Sequence, residues 1–374
     1  MTKAAELAKM GEVLDNSQIG RKNIIINGGM QIAQRATSST GLGASNGYFT
    51  LDRFKIALGA GDGRFTMSQS TVTDLEGFST ALKIDCTTAD TSIAAGEALL
   101  LVQSIEGFNL QQLKATSSST RAFTLSFYAK SNASRAIASE INLTNGGTNV
   151  QISKLHTIGT SWARYTMTIP AASITQIDND NTDEMQVNFW LHAGSTYTGG
   201  TLNDDAFDSV TQANRAAGIG SIFASTDNTL EITGMQMEVG SVATPFEHRS
   251  YGEELQLCQR YFEIMFRGDT AQSGLRKTSV GAGVWYGATQ VLATLLYSPK
   301  SAQPTLSQSE TGALGFYGNA YFRTSTDSTP FDSITDTGCR LNVESFNASG
   351  TAGDGVFAQL VNDNASSVSI DAEL

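Results

Sequence analysis

Cysteine, histidine and proline are scarce in this sequence of 374 residues, which contains three, three and five of them. Cys86, Cys258 and Cys339 are isolated and odd in number, which predicts neither a disulfide framework nor a thiolate metal cluster. This cysteine usage is typical of a protein assembled in a reducing cytoplasm. The histidines lie far apart and lack the spacing of a zinc site, so no cofactor or metal is expected from them.

Charged residues make up only 16% of the chain, with 24 basic against 36 acidic residues and a net charge of −12. The acidic excess argues against broad electrostatic binding of nucleic acid or of an anionic membrane surface. No stretch approaches the roughly 18 consecutive apolar residues that span a bilayer. Charged residues at positions 3, 6, 9 and 12 interrupt the N-terminus, which therefore lacks the apolar core of a signal peptide.

Small residues are abundant in the sequence: 81 residues are Ser or Thr and 36 are Gly. Such a composition, with 40% hydrophobic residues, favours an all-β protein with many turns. Alternation of period two, with some shorter candidates, predicts around eight or more strands. They are Arg53–Leu58, Arg64–Ser68, Ala81–Cys86, Ala98–Ser104, Phe123–Lys130, Tyr165–Ile169, Met185–Leu191 and Leu230–Val239. The alternation shifts by one residue at Gly234, which predicts a β-bulge there. The pattern indicates an antiparallel β-sandwich of the jelly-roll type.

Two segments depart from this pattern and predict helices. Residues 3–15 carry an apolar stripe of Leu7, Met10 and Leu14. This short helix either packs on its own domain or serves as an anchoring and oligomerising element. The second helix, Tyr251–Met265, begins after the capping box formed by Ser250 and Glu253.

Four regions follow from these elements. They are an N-terminal helix and anchoring segment (1–47), a jelly-roll β-sandwich (48–248), a linking helix (249–267) and a smaller C-terminal β domain (268–374). In the C-terminal domain strands are predicted at Lys277–Trp285, Gln290–Tyr297, Arg340–Phe346, Val356–Val361 and Val368–Ile370.

Two groups of residues flank the sandwich region and carry a family resemblance. The opening group is NIIINGGMQIAQR at 23–35 followed by YFTLDRF at 48–54. The closing group is LEITGMQMEV at 230–239, ATPFEHR at 243–249 and EELQLCQRYF at 253–262. Both resemble the segments that open and close a jelly-roll domain in tail-fibre-type virion proteins of tailed bacteriophages, and the N-terminal helix is similar to the start of such proteins from phages of marine bacteria. In physical terms, Ile24 to Ile26 predict an apolar strand before the tight turn Asn27-Gly28-Gly29.

The resemblance implies a homotrimeric virion protein with a fold similar to carbohydrate-binding jelly rolls. Its expected partners are other copies of itself, other tail or virion proteins through the N-terminal segment, and a glycan or protein on the host cell surface. Its expected location is the phage tail, after assembly in the cytoplasm of the host bacterium. A capsid-surface fibre or decoration protein and an envelope polysaccharide depolymerase are the alternatives.

Two sets of side chains are candidates for ligand contact. The loop at 178–184 carries four carboxylates, those of Asp178, Asp180, Asp183 and Glu184. This loop either binds calcium through oxygen ligands or is a solvated turn. Trp190 and His192 share the polar face of one predicted strand, where they either contact a glycan or pack at an interface.

Patterns that would indicate an enzyme are incomplete. Ser45 lies in a G-x-S-x-G sequence, but no strand precedes it and no helix follows it, as a nucleophile elbow requires. Asp204, Asp205 and Asp208 lie on one predicted loop and therefore do not flank a cleft as glycosidase carboxylates do. Trp162 is similar to a core tryptophan of these jelly rolls and is expected to pack inside. We therefore expect a non-enzymatic binding protein.

Overall fold

The computed structural model describes residues 3, 21–144, 149–267, 279–287, 290–309, 314–318, 321–324, 330–343, 351–360 and 367–374. The chain divides into two compact units, of which the first ends at Glu254 and also holds Leu374, and the second runs from Leu255 to Glu373. The predicted N-terminal helix with Leu7, Met10 and Leu14 lies outside the described residues. No helix among the described residues has the length and apolar character needed to cross a membrane.

The first unit is built from short antiparallel strands. They are β1 (Ser38–Leu42), β2 (Gly47–Tyr48), β3 (Lys55–Gly59), β4 (Arg64–Thr71), β5 (Thr80–Thr88), β6 (Ala98–Glu106), β7 (Lys114–Thr116), β8 (Ser119–Thr120), β9 (Phe123–Ser131), β10 (Arg135–Leu143), β11 (Val150–Ile158), β12 (Ala163–Ile169), β13 (Asp183–Ala193), β14 (Asp208–Ser209) and β15 (Thr229–Val239). Two one-turn helices, α1 (Gly107–Leu110) and α2 (Ser195–Thr198), interrupt them, and α3 (Tyr251–Gln259) follows.

Two sheets face each other in this unit. Sheet A has the strand order β1-β4-β5-β15-β9-β12, and sheet B has the order β14-β11-β10-β13-β6-β3-β2. Strands that are neighbours in a sheet are often far apart in sequence, so the connections cross between the sheets. This is the antiparallel jelly-roll sandwich that the alternation predicted.

The sandwich core follows from the alternation of side chains along each strand. In β9 the residues Phe123, Leu125, Phe127 and Ala129 are all fully buried between the sheets. In β13 the same face is made by Met185, Val187, Phe189 and Leu191, which belong to the same core. Successive side chains of a strand point to opposite sides, so each strand leaves a second set of residues on the outer face of its sheet.

The predicted bulge at Gly234 is confirmed. The pairing of β15 with β9 shifts register between Thr233 and Gln236, and Gly234 has φ +60°. A Cβ atom at this position would lie 2.7 Å from Phe78 and 2.8 Å from Tyr128. Glycine is required both by the left-handed backbone and by the close packing of these rings.

Over residues 21–47 the opening segment is part of the sandwich and not a region separate from it. Ile25 and Met30 are fully buried in the sandwich core. Strand β1 pairs with β4, and β2 pairs with β3. Residues 24–26 do not form the predicted strand, although the N–H of Ile24 donates to Met237 O at 2.9 Å. The predicted boundary at residue 47 therefore lies inside the first unit, because the apolar residues before it complete the core.

The second helix is shorter than the predicted Tyr251–Met265. Helix α3 ends at Gln259, and Phe262 begins a strand that runs to Arg267. The capping interaction is present, since the N–H of Glu253 donates to Ser250 Oγ at 3.3 Å. The helix stops early because Phe262 to Arg267 pair in the sheet of the second unit, so tertiary pairing overrides a helical periodicity. The predicted linking helix at 249–267 is thus half helix and half strand.

The second unit also contains two antiparallel sheets. Its strands are β16 (Phe262–Arg267), β17 (Ser279–Trp285), β18 (Val291–Leu296), β19 (Thr305–Gln308), β20 (Leu314–Gly318), β21 (Tyr321–Thr324), β22 (Phe331–Asp332), β23 (Gly338–Val343), β24 (Gly355–Leu360) and β25 (Ser367–Asp371). A three-stranded sheet, β16-β25-β19, and a seven-stranded sheet, β21-β20-β24-β17-β18-β23-β22, share a core around Trp285 and Phe316. Each of the five strands predicted here overlaps an observed strand.

Candidate binding site

A row of polar side chains crosses the outer face of sheet B. Gln151 pairs with Asn142, Asn142 with Gln186, and Gln186 with Ser104. The neighbours of these residues along each strand, such as Ile141 and Met185, point into the sandwich core. All four side chains therefore lie side by side on the opposite face, across the strands β11, β10, β13 and β6. We refer to Gln151, Asn142, Gln186 and Ser104 as the amide row.

The amide row contains buried polar atoms with unused hydrogen-bonding capacity. Asn142 is 6% exposed and Gln151 is 1% exposed, yet neither Asn142 Oδ1 nor Gln151 Nε2 has a hydrogen-bond partner among the described residues. The same holds for Oδ1 of Asn188, which lies one row further along the same face. Each unsatisfied buried group costs about 1–3 kcal/mol. Clustered groups of this kind are uncommon in folded proteins and indicate a place for a ligand or for ordered water.

Asp183 extends the amide row toward solvent. Its Oδ2 accepts hydrogen bonds from Ser104 Oγ at 3.0 Å and from Gln186 Nε2 at 2.7 Å, while its Oδ1 has no partner among the described residues. Burial raises the pKa of this carboxyl above its ordinary value. Asp183 and Gln186 are both half-buried, whereas Ser104, Asn142 and Gln151 are buried, so these two residues are the more accessible part of the site.

Part of the outer face of sheet B is covered by the long connection between β13 and β15. We call residues 194–228 the covering segment. Its Arg215 forms an ion pair with the fully buried Glu140, with Nε 2.7 Å from Oε1 and Nη2 2.9 Å from Oε2. Glu140 also accepts hydrogen bonds from Asn188 Nδ2 at 3.0 Å and from Trp190 Nε1 at 2.9 Å. The buried carboxylate is thus compensated by several donors, as a charge inside a protein requires.

Trp190 and His192 were candidates for contact with a surface glycan, and their burial contradicts that assignment. Trp190 is 1% exposed and packs against Arg215, whose Cζ lies 4.8 Å from its ring centroid, and against Tyr197, whose ring centroid is 5.0 Å away. His192 is 2% exposed, with Nε2 3.1 Å from Glu97 Oε2 and Nδ1 2.7 Å from Ser221 Oγ. Both residues do lie opposite Phe189 and Leu191, as predicted. They hold the covering segment on the sheet.

The four predicted calcium candidates separate into two groups. Asp178, Asp180 and Glu184 each place one carboxylate oxygen within 4.8 Å of the others, whereas Asp183 belongs to the amide row. Thr182 donates to Asp180 through its N–H at 2.8 Å and its hydroxyl at 2.7 Å, and these bonds lower the pKa of Asp180. The Thr182 hydroxyl also lies 3.1 Å from Glu184. Hydrogen bonds within the turn therefore contribute to holding these carboxylates together.

The residues of the incomplete catalytic patterns lie in exposed connections. Ser45 is exposed in the short loop between β1 and β2, and a strand follows it where an elbow requires a helix. Asp204, Asp205 and Asp208 are exposed along the covering segment. Trp162, expected in the core, is instead half-buried on the outer face of sheet A, where its Nε1 donates to Asp74 Oδ1 at 2.9 Å.

Sequence reasoning missed the amide row. Strands β10 and β11 were not predicted, because their alternation is broken by the polar Ser139 and His156 at core-facing positions and by apolar residues such as Leu155 at outward positions. The order Glu140, Ile141, Asn142, Leu143 does alternate, and this is the signal by which Asn142 could have been found. The lateral alignment of four polar residues from four strands is a property of register, which no single strand encodes.

No family model and no curated protein matches this chain. Among solved structures, the enzymatically active domain of tailspike protein 4 from bacteriophage CBA120 aligns at 14% identity with a TM-score of 0.30, over 58% of this chain and 21% of the tailspike chain. The family 11 carbohydrate-binding module of a cellulosomal cellulase of Clostridium thermocellum aligns at 12% identity with a TM-score of 0.27, over 56% of this chain and all of the module. The module TmCBM61, solved with β-1,4-galactotriose, aligns at 10% identity with a TM-score of 0.28, over 59% and 99% of the two chains. The matched part of this chain thus spans about a fifth of the tailspike structure.

Proposed function

We propose that this chain is a non-enzymatic appendage protein of a tailed bacteriophage, a homotrimeric tail fibre that attaches the virion to a glycan on the bacterial surface. The observation that carries the glycan part is the amide row, with its unpartnered Asn142 Oδ1 and Gln151 Nε2 beside the half-buried Gln186 and Asp183. The opening and closing segments, which resemble those of phage tail-fibre-type proteins, support the virion part.

The chemistry of the amide row suits a ligand rich in hydroxyl groups. A sugar hydroxyl both donates and accepts hydrogen bonds, so it can donate to the oxygen of Asn142 and accept from the nitrogen of Gln151. Asp183 adds carboxylate oxygens that accept from vicinal hydroxyls. A few convergent polar groups of this kind give orientation and specificity in carbohydrate sites.

A trimer would turn weak single sites into firm attachment. Three copies of the site on one fibre make the second and third contacts intramolecular, so the overall affinity for a repetitive glycan rises without any new contact. The weakly charged, Ser- and Thr-rich composition limits non-specific attraction to other surfaces.

Binding is tested by applying the purified full chain to an array of bacterial surface glycans and then to the bound glycan in calorimetry. Asn142→Ala and Gln186→Ala are expected to weaken binding about tenfold each, the loss of one or two hydrogen bonds. Gln256→Ala is the matched control, because this glutamine is exposed on α3. An array without bound glycan, or equal losses in the control, would refute the glycan assignment.

The virion assignment is tested separately. Immunogold labelling of the C-terminus on intact particles is expected to mark the tail, and density on the capsid surface would instead favour a capsid fibre. Sedimentation of the full chain is expected to give a trimer that dissociates when residues 1–20 are deleted. Release of reducing ends or unsaturated products from the bound polysaccharide would contradict the non-enzymatic assignment.

A further inference from the structure

The outer face of sheet A carries a second group of side chains that the amide row does not include. Glu231 of β15 pairs with Lys130 of β9 on one side and with Lys83 of β5 on the other. Trp162 directly precedes Ala163, which pairs with Ala129, so the indole lies beside Lys130. The result is a lateral row of Trp162, Lys130, Glu231 and Lys83 across four strands, with the connection between β4 and β5 reaching over it through Asp74.

The contacts of Trp162 fix the orientation of its indole ring. Its Nε1 donates to Asp74 Oδ1 at 2.9 Å. The ammonium of Lys130 lies 4.9 Å from the ring centroid and 3.0 Å from Asp74 Oδ2. These hydrogen bonds to Lys130 and Trp162 hold the pKa of Asp74 below its ordinary value, so the carboxylate is an ionised acceptor at neutral pH. The ring is therefore held by a cation and an anion that both remain partly accessible, at 22% and 58% exposure.

The neighbouring aromatic residues on this face have a different arrangement. Phe78 packs against Tyr128 and Phe246 with ring centroids 5.3 Å and 5.1 Å apart, and also against His248 at 5.4 Å. These ring contacts pack the segment that follows β15 against sheet A, so the aromatic residues of this cluster have a structural role. Trp162 forms none of these ring contacts, and its main partners are the charged Asp74 and Lys130.

The charges of the group are paired with one another. Lys130 lies 3.0 Å from Asp74 and 3.8 Å from Glu231, and Lys83 lies 3.2 Å from Asp85, so that three acidic and two basic side chains leave a single excess negative charge. A surface whose charges are mostly paired has little net attraction for an ionic ligand. It does offer both donors and acceptors next to an aromatic ring, and this combination fits a neutral molecule with an apolar face and a rim of hydroxyls.

We propose that Trp162 is the stacking platform of a second carbohydrate site, which takes a neutral pyranose residue on the ring face opposite Lys130, with Asp74 at the Nε1 edge of the ring accepting hydrogen bonds from its hydroxyls. This inference rests on the proposed glycan binding, but its site lies on the opposite sheet from the amide row. One chain then holds two sites on the two outer faces of its sandwich, so a single fibre contacts neighbouring glycan chains.

The tryptophans of this chain make the inference directly measurable. The sequence has three, and Trp190 and Trp285 are each 1% exposed, so Trp162 is the indole that a quencher in solution reaches. Acrylamide quenching of the full chain reports this residue, and a neutral quencher avoids bias from Asp74 and Lys130. Trp162→Phe is expected to remove the quenchable fraction and thereby to assign the signal.

The probes are neutral oligosaccharides of four to six glucose, galactose, mannose or N-acetylglucosamine units. A binding sugar is expected to protect the fluorescence from acrylamide. In calorimetry, Asp74→Asn is expected to raise the dissociation constant at this site several-fold, and Trp162→Ala about tenfold. Asp332→Asn is the matched control, because Asp332 forms a comparable surface ion pair with Arg340. Should Trp162→Ala fail to fold, Asp74→Asn and the protection measurement decide the outcome.

The failures of the two proposals are distinguishable. Glycan binding that depends on Asn142 and Gln186 but leaves the acrylamide quenching unchanged would overturn the Trp162 site and leave the proposed function intact. Protection that survives Asp74→Asn with an unchanged dissociation constant would overturn the role given to Asp74. Absence of binding to every probe and to the bacterial glycans would overturn both proposals.

Discussion

Asn23 and Met237 are 214 residues apart in sequence, and the side chain Oδ1 of Asn23 accepts the backbone N–H of Met237 at 3.1 Å. The same Asn23 accepts from the N–H of Ile25 at 3.0 Å and donates to Met235 O at 3.1 Å. The opening and closing segments that carry the family resemblance thus meet through one buried amide. Glu247 adds a second link by accepting the N–H of Asn23 at 2.7 Å.

Replacing this amide is expected to destabilise the first unit. Asn23→Ala removes three buried hydrogen bonds and leaves the N–H of Met237 unpaired, so we expect a loss of about 3 kcal/mol in the free energy of unfolding. Urea denaturation followed by fluorescence measures it. Asn142→Ala is the matched control, since Asn142 Oδ1 has no partner among the described residues and its removal is expected to change stability by less than about 1 kcal/mol. Similar losses in both variants would contradict the structural role of Asn23.

The buried His156 predicts acid sensitivity. Burial lowers its pKa to about 4, below the ordinary value of 6.5, while Nε2 lies 2.8 Å from Ser139 Oγ. In the folded state the ring stays neutral down to pH 4, whereas in the unfolded chain it binds a proton below pH 6.5. Lowering the pH through this window therefore favours unfolding, by about 3 kcal/mol in total.

The measurement is urea unfolding between pH 7 and pH 4, compared between the natural chain and His156→Gln. The variant is expected to lose stability less steeply across this range. His248→Gln is the control, because His248 is exposed. Parallel curves for the natural chain and His156→Gln would show that His156 is not the group responsible.

The ion pair between Glu140 and Arg215 is expected to hold the covering segment on sheet B. Arg215→Ala leaves a fully buried carboxylate without its charge partner, and we expect a loss of about 3 kcal/mol together with faster proteolysis within residues 199–216. Limited proteolysis with mass spectrometry locates the cuts. Arg340→Ala breaks the exposed pair with Asp332 in the second unit and is expected to cost less than about 1 kcal/mol. Unaltered proteolysis in Arg215→Ala would show that this ion pair does not hold the covering segment on sheet B.

The bulge at Gly234 predicts a sharp response to a single methyl group. Gly234→Ala must adopt φ +60° and place its Cβ within 3 Å of Phe78 and Tyr128, so we expect a loss of about 2 kcal/mol or more. Gly96→Ala is the control, since a Cβ there meets nothing within 4 Å. Thermal unfolding of both variants compares them. Equal melting temperatures would mean that the rings move aside at no cost.

Local patterns in the sequence predicted much of the sandwich. Phe123, Leu125, Phe127 and Ala129 alternate in sequence, and they all face the core, because a strand turns every second side chain to the same side. The shift at Gly234 was also visible, since a bulge changes this parity. Helix α3 was predicted too long, because residues 262–267 have a sheet partner, Ser367 to Asp371, a hundred residues away.

The sequence by itself determined the all-β class, the register-breaking glycine and the core side of each predicted strand, since these depend on the order of side chains along a single strand. The tertiary structure decided which outward residues are buried. Trp190 and Trp162 both have a place on an outer face, yet the covering segment buries the first, and the second stays half-exposed beside Asp74. The amide row likewise exists only because four strands pair in one register and bring Gln151, Asn142, Gln186 and Ser104 into line. Contacts between residues so distant in sequence leave no local periodicity, and folding alone brings them together.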